Sequence, residues 1–303
     1  MASTFNIEEI LACLKKTYLS PDKNVRTQAE KKLAELKELN ILTFSSNLMD
    51  LLKMPLNEID QSLRMSIILL LKRSINEKIQ KKLLDENTNN QLIQLYIMII
   101  VNPNMSAKEV DNLKETFKEL LNNTTSEILV QIVVYISKQI TSMPLGSANG
   151  VISILSSIIE SSTINNGKTF LSILDGTINM TSSILENLYD KYEKLEPDNN
   201  LEDYFKLNNI FSSIFYLFFQ CGVKGDKKYN IKDEKMANIY ENMSIIGIKL
   251  LVNLKTNDNN RIISWVGNKK VDKNINSMKV NIFRFLNFHI NKTLDDIHID
   301  KKK

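Results

Sequence analysis

Glycine and proline are scarce in this chain, eight and five among 303 residues. A sheet-rich fold with many tight turns needs more of both, so their shortage argues against one. Cysteine is nearly absent. Cys13 and Cys221 lie far apart and make no metal or redox spacing, and both sit in apolar helical stretches, where reduced core residues are expected. The two histidines, His289 and His298, stand nine apart, with no pair of ligands one helical turn apart that would hold a metal. No nucleophile motif accompanies them, so neither a catalytic triad nor a general acid–base pair has a basis. The expectation is a protein that is not an enzyme and uses no cofactor. Long apolar runs are missing too: 67–71 and 95–101 fall well short of the ~18–20 residues that span a bilayer. The opening segment, 1–6, has neither a basic start nor an apolar stretch, which predicts a soluble intracellular chain in which sequons such as Asn179-Met180-Thr181 are incidental.

What is present favours helix. Apolar residues make up 43% of the chain, enough for a substantial core. Periodicity and polar breaks predict helices near 6–18, 20–39, 42–53, 59–84, 89–101, 107–121, 126–141, 149–160, 169–194, 201–221, 232–254 and 277–291. On the second, Val25, Ala29, Leu33 and Leu36 form an apolar stripe, opposite a charged side with Arg26/Glu30 and Lys31/Glu35 four apart. The helices group in pairs at roughly 40 residues, the HEAT period, at which about six or seven repeats would fit. Such a pair buries its apolar face only against stacked neighbours. The expected fold is all-α: an α-α superhelix of the HEAT/armadillo-like solenoid type, right-handed.

Charge is unevenly spread. Residues 1–223 hold 22 Lys and Arg against 26 Asp and Glu, whereas 224–303 hold 17 against 9. A basic last quarter favours an acidic partner or nucleic acid. No nucleic-acid signature accompanies it, so solvated Lys-rich loops are the expectation. Asn166-Gly167-Lys168-Thr169 invites a phosphate-loop reading, but Ser162 stands where that loop needs its first glycine, and the stretch before it is helical. The single tryptophan, Trp265, reads as a packing anchor. The run 211–219, apolar around most of its circumference, reads as a helix buried between layers.

The order of residues in 20–36 carries more. Ser20-Pro21-Asp22 stops one helix, and Arg26, Ala29, Glu30, Leu33 and Leu36 follow. This resembles the opening repeat of the importin-β (karyopherin) family of nuclear transport receptors, S-P-D-x-x-x-R-x-x-A-E-x-x-L-x-x-L. Residues 41–52 are similar to that family's second helix. Arg64, Leu71, Lys72 and Ile75 then match its V-R-x-x-A-x-x-x-L-K-N-x-I segment, with Arg73 where Asn is usual and without the aromatic residue that often follows. The resemblance covers about the first 80 residues. It divides the chain into importin-β N-terminal-like repeats, 1–82, and further HEAT-like repeats, 83–303, and makes the whole look like the N-terminal piece of a longer receptor.

The resemblance implies a function. In karyopherins the second helices of the first repeats line an inner surface that binds the small GTPase Ran in its GTP form. Here those helices carry Thr43, Ser46, Asn47 and Asp50, and, further on, Gln91 and Gln94. The implied partners are Ran-GTP, transport cargo or an adaptor, and nucleoporins, with no membrane and no specific nucleic acid. The implied locations are cytoplasm and nucleus. A HEAT scaffold or vesicle-coat adaptor subunit without Ran binding shares the architecture but lacks the two matched segments. Arg64 is expected to be structural, bridging neighbouring repeats or pairing with a carboxylate.

Overall fold

The computed structural model describes residues 6–139, 145–193, 201–225, 228, 234–258 and 269–300. Among them the chain is all-α, with no strand and the neighbour packing of a helical-repeat fold. The helices are α1 (Ile7–Leu19), α2 (Lys23–Leu39), α3 (Ile41–Lys53), α4 (Gln61–Gln80), α5 (Glu86–Ile100) and α6 (Ala107–Asn122), followed by α7 (Ser126–Gln139), α8 (Ala148–Glu160), α9 (Gly167–Glu193), α10 (Leu201–Lys224), α11 (Glu234–Asp258) and α12 (Lys269–Asp300). Trp265 and the loop at 195–200 lie outside the described residues.

The helix starts are written in short polar side chains. Asn6, Asp22, Asn40, Asp60 and Asp85 each accept a bond from a backbone N–H in the first turn, at 2.7–3.0 Å. Ser106 and Glu109 form a reciprocal capping box. Each cap satisfies donors that the first turn leaves unpaired, worth about 1 kcal/mol. Asn166 does the same for α9, accepting from Thr169 N at 2.8 Å, so the Gly-Lys-Thr stretch is a helix start.

Four helix limits differ from the periodicity by more than three residues: the ends of α4 and α11 and both ends of α12. The pattern carries the fourth helix to 84, but α4 ends at Gln80. Lys82 takes a left-handed conformation (φ 53°), and Leu83 N donates to Lys78 O at 2.9 Å. This is a C-terminal stop normally marked by glycine, and no glycine is there to announce it. At the other end α12 begins at Lys269, eight residues before the expected start. Those residues are mostly polar, and only Val271 and Ile275 carry the apolar spacing of Met278 and Ile282 back toward the N-terminus.

The helices form two compact units, one of α1–α6 and α8, the other of α7 and α9–α12. In the first, α1, α3 and α5 are successive neighbours in one row, α4, α6 and α8 in a second, and α2 packs on α1 and α3. Ile10, Leu14, Leu33, Leu36, Phe44, Leu48, Ile67, Leu71, Tyr96 and Phe117 fill the space between. Each such side chain contributes roughly 1.5–3 kcal/mol by leaving water. The expected stripe on α2 is core at Ala29, Leu33 and Leu36, while Val25 is half-buried. Gly150 lets α8 lie against α5: a Cβ there would collide with the carbonyl of Ile100.

In the second unit α7, α9 and α11 form one row and α10 packs along α12, with α9 against α10 and α11 against α12. Phe211, Phe215 and Phe218 of the aromatic run are fully buried, as expected of that helix, while Tyr216 and Phe219 are half-exposed. Phe215, Phe218, Tyr240 and Phe285 make an aromatic cluster with ring centroids 5.7–6.5 Å apart. His289 stacks on Phe285, and burial holds its imidazole below the usual value. Cys221 is buried, which pushes its thiol up, whereas Cys13 is only half-buried rather than core.

Candidate functional site

The residues that carry the family resemblance have structural work to do. Ser20 Oγ accepts from Asp22 N at 3.2 Å, and Asp22 caps α2. Arg26 turns back from the first turn of α2 and donates to the carbonyls of Ser20 and Pro21, both at 2.9 Å. Proline lacks an N–H and disfavours helix in the residue before it. The segment is therefore a corner that ends α1 and restarts the chain as α2, with a guanidinium bound to the exposed carbonyls.

Arg64 is a clamp. Only 2% of it is exposed. Its Nε donates to Glu109 Oε1 at 2.6 Å, Nη1 to Met54 O at 3.0 Å, and Nη2 approaches Met105 Sδ at 3.3 Å. Glu109 is equally buried, and its other oxygen accepts from Ser106 N and Oγ. Burial pushes the Glu109 carboxyl up, but the bonds from Arg64 and Ser106 outweigh it and hold the group below the ordinary carboxylate value. The pair joins α4 to α6 across 45 residues, in agreement with the structural role expected for Arg64.

Further charged pairs follow the same spacing. Lys37 meets Glu77 and Lys78 meets Glu38, each at 2.6 Å and 40 residues apart, tying α2 to α4. Lys72 meets Glu115 between α4 and α6, and Lys118 meets Glu160 between α6 and α8, at separations of 43 and 42. Lys114 Nζ also donates to Ser156 Oγ at 3.2 Å. The recurrence shows that α2, α4, α6 and α8 are equivalent positions of successive repeats in register. Sequence reasoning missed this ladder. Its trace was a Lys and a Glu 40–45 residues apart on helices of the same parity.

The residues expected to face a partner lie on the other row: α3 and α5 stand with α1 as the first helices of the pairs α3–α4 and α5–α6, not as the second helices expected from the sequence. Thr43, Ser46, Asn47 and Asp50 share one side of α3 and are half-buried, opposite the fully buried Phe44, Leu48, Leu51 and Leu52. Asp50 accepts from Lys53 Nζ at 2.7 Å. On α5, the direct neighbour of α3, Gln91 donates to Asn87 Oδ1 at 3.2 Å and Gln94 is exposed. Met98, 48% exposed, continues that stripe as its one large apolar member. The result is a band of hydroxyls and carboxamides with one ion pair, able to donate and accept hydrogen bonds.

Where α4, α5 and α6 end or begin, a cleft of about 400 Å³ opens, lined by Lys82, Glu86, Asn89 and Thr124 among others. Asn89 spends its Nδ2 donors on Leu120 O and Asn123 O, closing the carbonyl end of α6. The cleft is thus a junction of helix ends. Among the described residues no group of three His, Cys, Asp or Glu could hold a metal ion, and no helix is long and apolar enough to cross a membrane. His298 lies in the last turn of α12, while His289 belongs to the aromatic cluster. A scan against protein-family models gives no match, and a search of curated proteins gives no relative.

Proposed function

We propose that this chain is a binding protein of the nuclear-transport-receptor kind, an importin-β-like fragment that recognises Ran-GTP through its N-terminal repeats. The observation that carries the reading is the ordered pair of segments: Ser20-Pro21-Asp22 with Arg26, Ala29, Glu30, Leu33 and Leu36, then Arg64 with Leu71, Lys72 and Ile75. Those residues build a helix corner and an inter-repeat clamp, so what they support most directly is a shared architecture. The Ran-facing assignment rests on the resemblance together with the solvent-side placement of Thr43, Ser46, Asn47, Asp50, Gln91 and Gln94.

Binding would be non-covalent and would read the GTPase switch segments, whose order depends on the γ-phosphate. Cargo or an adaptor and nucleoporins are the further partners in this reading, and cytoplasm and nucleus its locations. The test is capture of Ran loaded with a non-hydrolysable GTP analogue and, separately, with GDP. Preference for the GTP form, weakened by Asn47→Arg with Asp50→Lys in a chain that keeps its helical circular dichroism, is the expected result. Equal capture of both forms, or none at micromolar protein, would favour instead a HEAT-repeat scaffold without Ran binding.

A further inference from the structure

Within the first unit, the turn after α4, the start of α5 and the end of α6 enclose the cleft of about 400 Å³. It shares no residue with the stripe assigned to Ran. Asn89 lines the cleft and is only 2% exposed, so its carboxamide stands at the base. Both Nδ2 hydrogens go to the carbonyls of Leu120 and Asn123, but Oδ1 is buried and has no hydrogen-bond partner among the described residues. A carboxamide oxygen taken from water and accepting nothing is unfavourable, and a donor brought into the cleft would relieve it.

Charges of both signs stand beside that acceptor. Glu86 lies one turn before Asn89 on α5, which puts the two on one face of the helix. Lys82 comes from the turn after α4, where it holds a left-handed conformation that glycine would take without strain. Both charged residues are exposed, and among the described residues neither side chain has an ion-pair or hydrogen-bond partner. They are four residues apart yet not paired with each other. Ile79 and Leu84, both half-buried, supply the apolar part of the lining.

We propose that this cleft binds a small zwitterion of the α-amino-acid class, its ammonium held by Asn89 Oδ1 and Glu86, its carboxylate by Lys82, and a short apolar side chain by Ile79 and Leu84. Size and charge together select that ligand. The volume falls within the roughly 300–1,000 Å³ of small-molecule sites. A lone anion is disfavoured, because Asp85 already caps the start of α5, accepting from Thr88 N at 2.8 Å, and Glu86 adds a second carboxylate there. A lone cation would face Lys82. A molecule that carries both charges a short distance apart satisfies each, and its N–H groups answer the Asn89 acceptor. Lysine rather than glycine at the left-handed position then has a use, as the partner of the ligand's carboxylate.

The test is isothermal titration calorimetry of the full chain with L-leucine, beside N-acetyl-leucine, which lacks the ammonium, leucinamide, which lacks the carboxylate, and inorganic phosphate. Saturable binding of leucine is expected at about millimolar concentration, since so small a ligand makes few contacts. The two blocked compounds should bind about tenfold or more weakly, as should leucine to Lys82→Gly and to Glu86→Gln, because each change removes one charged partner. Both substitutions fall at exposed positions and should leave the circular dichroism unchanged. No saturable binding of leucine up to about 10 mM would overturn the proposal, since the acceptor would then meet only water. So would equal binding of the blocked compounds, unchanged affinity in both variants, or tighter binding of phosphate than of leucine.

Discussion

The two units add different chemistry to their apolar cores. In the first, successive helices of one row are laced by Lys–Glu and Arg–Glu pairs repeating every 40–45 residues. In the second, α10, α11 and α12 meet through Phe215, Phe218, Tyr240, Phe285 and His289. A ladder of charges sets register, because each rung matches one lysine to one glutamate, but most rungs are exposed and individually weak. An aromatic cluster gives more free energy per residue and specifies register through shape alone. The same fold class is reached by both routes, and they should respond differently to acid.

The largest effects should come from the two buried centres. Phe285→Ala should cost the second unit ~3–5 kcal/mol by deleting a ring shared among three aromatic neighbours. Glu109→Ala should cost the first unit about the same, ~3–5 kcal/mol, because it leaves the Arg64 guanidinium buried and unpaired. The double variant Arg64→Met with Glu109→Leu should recover much of that loss. Chemical denaturation checks all three, and a double variant as unstable as Glu109→Ala would show that the pair is not the source. Leu33→Ala, in a side chain only 4% exposed, should cost ~2–5 kcal/mol, and a loss near zero would mean that this stripe is not core.

Acid should separate the units. Bonds from Lys37 and Lys81 hold Glu77 at about 2, far below the ordinary 4.5. Glu38 is lowered chiefly by Lys78. Glu160 is raised by burial but lowered on balance by Lys118 and Lys114, and Glu109 likewise by Arg64 and Ser106. These carboxyls lose protons more readily folded than unfolded. Their stabilisation is therefore complete above 4.5 and fades as pH falls toward about 2. Hydrogen exchange measured by peptide should show α4 and α6 losing protection over that window before α10 and α12, and simultaneous loss would contradict the contrast.

The smallest effects concern single surface rungs and a helix stop. Lys72→Ala should change stability by no more than about 1 kcal/mol, since Glu115 is well exposed. Lys82→Gly should stabilise slightly, by up to about 1 kcal/mol, because glycine takes the left-handed conformation without strain. A destabilised glycine variant would show that the Lys82 side chain matters more than its backbone.

Much of the helix layout was legible because it depends on neighbours in sequence. Asn6 and Glu9, Ser20-Pro21-Asp22 and Asn102-Pro103 punctuate the chain, and the apolar period between such breaks is strong. The α4 stop at Lys82 was not legible, since no glycine marks it. Of the candidate site, the polar stripe Thr43, Ser46, Asn47, Asp50 could be read from helical spacing, and it does lie on the less buried side of α3. The cleft beside Asn89 could not be, because Asn89 and Leu120 are 31 positions apart and meaningful only in contact.

By itself, then, the sequence determined the all-α class, the helix positions and the inward faces, because caps and a 3.6-residue period act over one or two turns. Tertiary structure decided which charges meet. Nothing local tells Arg64 to choose Glu109 or Lys118 to choose Glu160. Those pairings arise when the apolar stripes of successive helices pack and bring side chains 40–45 residues apart within hydrogen-bond reach.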